Sequence, residues 1–389
     1  MIKYSKQYID KSDINSVLSV LKSDYLTQGP LVIKFEDSVS KKIKSKYSVA
    51  VNSATSALHI SCLALGLGNG DVLWTVPNTF VASANCGLYC GANIDFIDID
   101  IKTFNICFNE LEKKLINAKK NKKLPKIIVP VDFGGNPYDH IKLKKLSKKY
   151  KFKILEDASH AFGAKINNKY ISPSLGSDIV VFSFHPVKPF TTAEGGLAST
   201  NNKKLYEKLK QLRSHGIIKD KKKLINKKNS DWYYEQRELG FNYRMNELQA
   251  ALGVSQLKKI DKFTFKRNQN ANYYLKKLSN KDLTFQEVKK NNTNSYHLFI
   301  VLFPNKKKIL NNYDKIFREF LKNKISVMLH YRPIHLHPFF KKKGFKDKDY
   351  PVSENYAKRA FSIPNFFLLN KIKQDKVIST INKILKKFS

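Results

Sequence analysis

Only four cysteines, seven arginines, three methionines and two tryptophans stand among the 389 residues. Cys62, Cys86, Cys90 and Cys107 form no CxxC pair. Cys86 and Cys90 would share a helix face, yet no histidine or second pair completes a zinc set, so the four read as buried free thiols. No apolar run approaches the roughly 18 residues of a membrane span. The opening MIKYSKQYIDKSD is too polar for a signal peptide. These absences predict a cytoplasmic chain with no membrane partner. His330, His335 and His337 are the other candidate metal cluster, but no carboxylate stands at ligand spacing, and no metal is expected.

Negative charge is also scarce. Lys and Arg number 71 against 32 Asp and Glu, a net charge of +39 that would ordinarily suggest a nucleic-acid partner. The excess is nearly all lysine and runs along the whole chain in a background rich in Asn and Ile, which is what a coding bias produces. The runs Lys119–Lys123, Lys219–Lys228 and Lys341–Lys343 lack interleaved stacking aromatics and read as solvated loops. No nucleic-acid partner is expected, although a basic nucleic-acid-binding protein is the alternative from a different class. A positive field would still draw in an anionic substrate.

With 42% hydrophobic residues the chain can bury a large core, and its length predicts two domains. From residue 48 short β-rich runs alternate with helical stretches, the pattern of a mostly parallel α/β sheet covered on both faces. Seven strands are predicted: SVAVN (48–52), VLWTV (72–76), NIDFID (93–98), KIIVPV (126–131), FKILE (152–156), DIVVFSF (178–184) and GLAST before Asn201. Helices are expected from near Thr55, over TFVASANCGLYCG, and over Glu110–Ala118 and Ile141–Tyr150. After Asn246 the texture changes to one long amphipathic stretch from Glu247 to about Leu278. A strand (297–303), a helix (314–323), a strand ISVML (325–329) and a closing helix (371–388) follow. The boundary falls near 245, giving a large unit, 1–245, and a small C-terminal α+β unit, 246–389.

Ligands of open α/β sheets sit at the carboxyl ends of strands, so the polar residues there are the candidates for chemistry. Asn52-Ser53-Ala54-Thr55-Ser56-Ala57 offers hydroxyls and free N–H groups that could hold a phosphate, or serve as an ordinary helix cap. In Glu156-Asp157-Ala158-Ser159-His160 a carboxylate follows a buried strand, where it could keep a heterocyclic nitrogen protonated or cap the next helix. The third place is the run Phe182 to Gly196, in which Lys188 is framed by Pro186 and Pro189 and followed by a glycine pair. A lysine in a closed pocket can lose its proton and attack a carbonyl; a solvated lysine does nothing.

Taken together, NSATSALH, EDASHA, SFHPVKPFTTAEGG and GFNYRMNELQAALG resemble segments of the DegT-type nucleotide-sugar aminotransferases, which have the fold-type-I architecture of pyridoxal-phosphate (PLP) enzymes. The similarity runs over nearly the whole chain. YSKQYIDKSDINSVLSVLKSDYLTQGP, VDFGGN, RSHGI and VMLHYRPIH further resemble the subgroup that aminates UDP-linked 4-keto-6-deoxy-N-acetyl sugars for pseudaminic acid. The resemblance implies that Lys188 carries the cofactor, that Asp157 partners its pyridinium nitrogen, that Phe80 stacks on its ring and that His160 lies beside it. Thr55, Ser56 and Ser183 match phosphate ligands, and Asn242 matches one that reaches in from the other subunit of a homodimer. Tyr4, Asp24, Tyr25, Leu26, Thr27, Ala54, Arg244, Leu329, His330, Tyr331 and Arg332 match positions that line the nucleotide-sugar site, with His337 a further candidate. L-Glutamate is the family's usual donor. Sugar dehydratases of the same fold carry His in place of the lysine, so Lys188 implies transamination. Another nucleotide-linked keto sugar is the alternative substrate.

Overall fold

The computed structural model describes residues 1–226, 230–279 and 282–388. The chain opens with α1 (Lys11–Leu21), started by a reciprocal cap between Asp10 and Asp13, and α2 (Pro30–Ile43), with proline at its first position. Then β1 (Tyr47–Val51) leads into α3 (Ala54–Ala64), β2 (Val72–Thr75) into α4 (Ala82–Tyr89), β3 (Asn93–Phe96) into α5 (Phe108–Lys120), and β4 (Ile127–Ile128) into α6 (His140–Tyr150). β5 (Lys153–Asp157), a small hairpin of β6 (Lys165–Ile166) and β7 (Lys169–Tyr170), β8 (Ile179–Ser183), β9 (Gly196–Thr200) and α7 (Lys203–Arg213) follow.

All seven predicted strands form one sheet in the order β1-β9-β8-β5-β4-β2-β3, and only β9 runs against the others. Every residue of β8 and β9 is buried, as apolar strands covered by helices on both faces require. The side chains around them, Phe35, Phe162, Phe182, Phe184 and Leu197 among them, form one apolar core with α2. Each contributes roughly 1.5–3 kcal/mol by leaving water.

Beyond the ribbon β10 (Ile217–Ile218) and β11 (Glu235–Gln236), the stretch predicted as one helix is two, α8 (Glu247–Leu257) and α9 (Ile260–Leu278). The chain turns between them where Lys259 Nζ lies 2.7 Å from Asp10 and 2.8 Å from Asp13 of the first helix. The remainder is β12 (Thr284–Phe285), β13 (Asn292–Thr293), β14 (Phe299–Leu302), α10 (Lys307–Leu310), α11 (Tyr313–Lys322), α12 (Pro338–Lys341), α13 (Pro351–Ala357), β15 (Ala360–Ile363) and α14 (Lys371–Phe388). β14 is the centre of a three-stranded sheet with β12 and β15. Its alternation is two-sided: Ile300 and Leu302 join the core around Trp74 and Ile154, while Phe299 and Val301 join a core with Tyr274, Phe320 and Ile381.

The predicted strand 325–329 is not a strand. It touches its neighbours only at single bridges, Ile2 with Ile325 and Met328 with Ser362, and then peels away from β15 toward the cavity described below. Residues 11–21 and 30–43, with no predicted element, are helical. Of the cysteines, Cys62, Cys86 and Cys90 are buried free thiols as expected, whereas Cys107, at the start of α5, is partly exposed. The lysines of the runs 119–123 and 341–343 are exposed, as are Lys219 and Lys221 to Lys223; Lys227 and Lys228 lie outside the described residues.

Candidate active site

The ends of β1, β5 and β8 meet around a cavity of about 370 Å³. At one side β1 stops and α3 begins. Ser53 caps the helix by accepting from the Ser56 N–H at 3.1 Å. The N–H groups of Ala54 and Thr55, in the first turn, have no acceptor among the described residues. Gly196 makes this packing feasible, because a Cβ there would stand 2.4 Å from the Ser53 and Ala54 backbone. Ser183, the last residue of β8, lines the same cavity.

Asp157 ends β5. Its Oδ1 accepts from the Ser159 N–H at 3.1 Å and its Oδ2 from the Ser83 hydroxyl at 2.7 Å, and Thr79 Oγ1 lies 2.9 Å from Ser83 Oγ. The carboxylate is thus fixed and keeps free lone pairs for a ligand.

Lys188 sits on the loop between β8 and β9, closed by Phe184 N–H to Gly195 carbonyl at 2.9 Å. Ala193, on this loop, has φ +66°, a left-handed conformation that favours glycine. Ser5 ties the N-terminal segment to the loop through the Val187 carbonyl at 3.1 Å, which brings Tyr4 to the cavity. Lys188 lines the cavity and is half-buried as a residue. That burial lowers it to about 8, against the opposing pull of Asp157. A free amine is therefore available near neutral pH.

Three histidines complete the wall. Burial pushes His160 and His297 well below the ordinary imidazole range and His330 to about 3, and the positive charge of Lys188 acts in the same direction. All three are neutral rings. His160 Nδ1 accepts from the Gly134 N–H at 3.2 Å, and its Nε2 lies 3.2 Å from the Tyr331 hydroxyl. His330 Nδ1 is 2.9 Å from Ser362 Oγ, and His335 Nε2 is 3.0 Å from Glu354, so these two members of the supposed histidine cluster turn to different partners.

Of the residues singled out in the sequence, Tyr4, Ala54, Thr55, Phe80, Asp157, His160, Ser183, Lys188, His330 and Tyr331 line this one cavity. Phe80 stands at its mouth, 56% exposed, a ring with room for a partner against its face. Ser56, the next residue in the same turn, does not line the cavity; it is buried with its hydroxyl on Asn52 Oδ1 at 2.7 Å. Leu329, Arg332 and His337 do not line the cavity; Leu329 packs on the core, and Arg332 donates to the Leu336 carbonyl at 3.2 Å.

Asp24, Tyr25, Leu26 and Thr27 are exposed in the turn between α1 and α2, and Asn242 is exposed as well. Arg244 pairs its backbone with Val51. The motif MNELQ explains part of this arrangement. Glu247 is buried, and its carboxylate accepts from the N–H groups of Gly29, Leu31 and Val32 at 3.1, 2.7 and 3.2 Å, so α8 caps α2. Its own N–H donates to the Leu26 carbonyl at 3.0 Å, holding the 24–27 turn beside the 242–247 segment. Ser83, Thr79 and His297 carry no mark in the sequence that sets them apart from core residues.

Behind the sheet a second polar cluster is closed on itself. His140 Nε2 lies 2.8 Å from Glu156 Oε1, Ser177 donates to Glu156 Oε2 at 2.5 Å, and Asp132 is close enough to complete a three-ligand set. Burial and the Glu156 charge push Asp132 well up, so it is protonated. Burial is the strongest single influence on Glu156 and works against its charge, but His140 together with hydrogen bonds from Asp132 and Ser177 holds that carboxyl low.

The sequence profile of the DegT/DnrJ/EryC1/StrS aminotransferase family matches residues 7–382. The UDP-4-amino-4,6-dideoxy-N-acetyl-beta-L-altrosamine transaminase of Campylobacter jejuni is 38% identical over 392 residues, covering 99% of each chain. Among solved structures, Helicobacter pylori PseC, an aminotransferase involved in the biosynthesis of pseudoaminic acid, matches with a TM-score of 0.90 at 32% identity over 100% of both chains. The PLP-form of Spr1654 from Streptococcus pneumoniae matches with a TM-score of 0.88 at 25% identity, over 99% of this chain and 98% of that one. No helix among the described residues is long and apolar enough to cross a membrane.

Proposed function

The chain belongs to the DegT/DnrJ/EryC1/StrS aminotransferase family, and on that premise we propose that it moves the amino group of L-glutamate to the C4 ketone of a UDP-linked 4-keto-6-deoxy-N-acetylhexosamine. The product is UDP-4-amino-4,6-dideoxy-N-acetyl-β-L-altrosamine, an intermediate for pseudaminic acid. The observation that carries the reading is the half-buried Lys188 sharing one cavity with the Asp157 carboxylate, in a chain 38% identical to a transaminase of that specificity.

Pyridoxal 5′-phosphate fits the donor set. The free N–H groups of Ala54 and Thr55, with the Thr55 and Ser183 hydroxyls, suit a phosphate. Asp157 suits a protonated ring nitrogen, Phe80 a ring face, and Lys188 an aldehyde. Ser56 supports this cradle from within the same turn through Asn52. When bound, the cofactor supplies an electron sink for the charge left as a proton departs from carbon.

The chain's own residues do the rest. Lys188 Nζ would hold the aldehyde, and as a free amine it would take the α-proton of glutamate and carry it as the base of the site. Asp157, held by Ser83 and Ser159, would accept the ring N–H. The neutral rings of His160, His297 and His330 keep the wall free of a competing cation near Lys188. Both half-reactions use one site, so ping-pong kinetics are expected.

In the same proposal residues 1–245 form the cofactor-binding unit, and 246–389 bring His297, His330 and Tyr331 over it. A second copy of the chain supplies Asn242 to the phosphate. The turn 24–27, Arg244, Leu329, Arg332 and His337 contact the nucleotide sugar only in such an assembly or after closure on substrate. The test is NMR of the products formed with 15N-glutamate when UDP-4-keto, 3-keto and dTDP-linked keto sugars are each supplied. Label at C4 of the altrosamine product is expected. Label on a dTDP-linked or 3-keto sugar instead would assign the chain the alternative substrate.

A further inference from the structure

We propose that Tyr331 is a directed hydrogen-bond donor to the bound cofactor, its phenol reaching the ring-hydroxyl oxygen that stands next to the aldehyde held by Lys188. The inference rests on the reading that the cavity takes pyridoxal phosphate.

The argument locates one hydrogen atom. Gly134 donates its N–H to His160 Nδ1 at 3.2 Å, so that nitrogen carries no proton. His160 is a neutral ring and therefore carries its single proton on Nε2. Nε2 lies 3.2 Å from the Tyr331 hydroxyl, so the histidine donates and the phenol oxygen accepts. The phenol's own hydrogen must point elsewhere, and no acceptor among the described residues takes it. Phe80, Phe133, His160 and His330 stand around the Tyr331 ring, with centroids 6.0, 6.2, 6.1 and 5.0 Å away. Tyr331 also lines the cavity.

Burial, with Tyr4 and Asp157 nearby, keeps this phenol protonated. A buried donor with no partner is costly, which makes a ligand oxygen its natural complement. Tyr331 neighbours Phe80 and His160, the residues assigned to the ring, whereas the phosphate donors come from α3 and β8. The ring-hydroxyl oxygen is accordingly the acceptor. A donor there withdraws the electron density by which that oxygen strengthens the hold of the Lys188 nitrogen on its proton.

The test uses full-length protein loaded with pyridoxal phosphate alone and reads the pH midpoint of the cofactor absorbance in wild type and Tyr331→Phe. The midpoint should rise by roughly one pH unit in the variant, the scale of one hydrogen bond. Asp157, His160, His185, His297 and His330 face the same amine in both proteins, so the difference isolates the phenol. A purely structural role would weaken cofactor binding without moving the midpoint. An unmoved midpoint overturns the proposal while a titrating wild type leaves the functional reading standing. Should Tyr331→Phe fail to fold, His160→Asn removes the N–H that directs the phenol and must also move the midpoint; no movement there overturns the proposal equally. A wild type that forms no chromophore overturns both.

Discussion

Glu156 and Asp157 are adjacent carboxylates on one strand, and the pleat sends them to opposite faces of the sheet. Both are buried, and both accept a serine hydroxyl. Asp157 keeps lone pairs open toward a cavity with a lysine in it. Glu156 is closed off by His140, Ser177 and a protonated Asp132. Identical chemistry is thus left available on one face and consumed by protein on the other. Whether a buried carboxylate acts on a ligand or only holds the fold depends on whether its partners leave an acceptor site unfilled.

The comparison can be broken from either side. The largest effect is expected for Lys188→Ala, which should abolish the yellow colour of the protein and cost about 10^4-fold or more in turnover; borohydride trapping of wild type with peptide mapping should place the adduct at 188. Asp157→Asn should lower kcat by about 10^2-fold while the unfolding midpoint in urea stays close to wild type. His140→Leu should do the reverse, destabilising by about 3–5 kcal/mol by taking the Oε1 partner from the buried Glu156 carboxylate, with kcat per folded molecule nearly unchanged. If His140→Leu instead altered the cofactor spectrum and spared stability, the division between the two faces would be wrong. Ser83→Ala should have the smallest effect, a few-fold drop in kcat, because Ser159 still holds the other Asp157 oxygen.

Acid sharpens the same contrast. His330 titrates at about 3 in the folded protein against 6.5 in an unfolded chain, and His160 and His297 are shifted in the same direction. The unfolded state therefore binds more protons over this range, and stability should fall as pH drops from about 6.5 toward 3, levelling off below. Denaturant titrations across that window check the slope. Replacing His330 with Gln should flatten it.

The strands of the main sheet were legible because each is a short apolar run ended by polar or small residues, and burial on both faces leaves little else for such a run to do. Lys188 stands out only through the likeness of SFHPVKPFTTAEGG to the family's segments; two prolines and a glycine pair by themselves leave a solvated lysine open. His297 begins an apolar strand and looks like core until the structure turns its ring toward the cavity. Ser83 is one small residue in a helix of small residues, and its bond to Asp157 spans 74 positions that no local pattern encodes. The segment 325–329 has strand composition, but pairing depends on the partner's path, and β15 meets it at Met328 alone. The 24–27 turn carries its meaning in Glu247, more than 200 residues later.

The lone reversed strand, β9, has a structural corollary. Because it returns the chain to the rim that β8 has just left, the lysine-bearing segment is a loop between hydrogen-bonded neighbours and needs no helix to carry it across the sheet. Such a segment can be lengthened, shortened or rewritten without disturbing the order of any other strand. The position of the amine thus depends on two paired strand ends and not on a crossover helix.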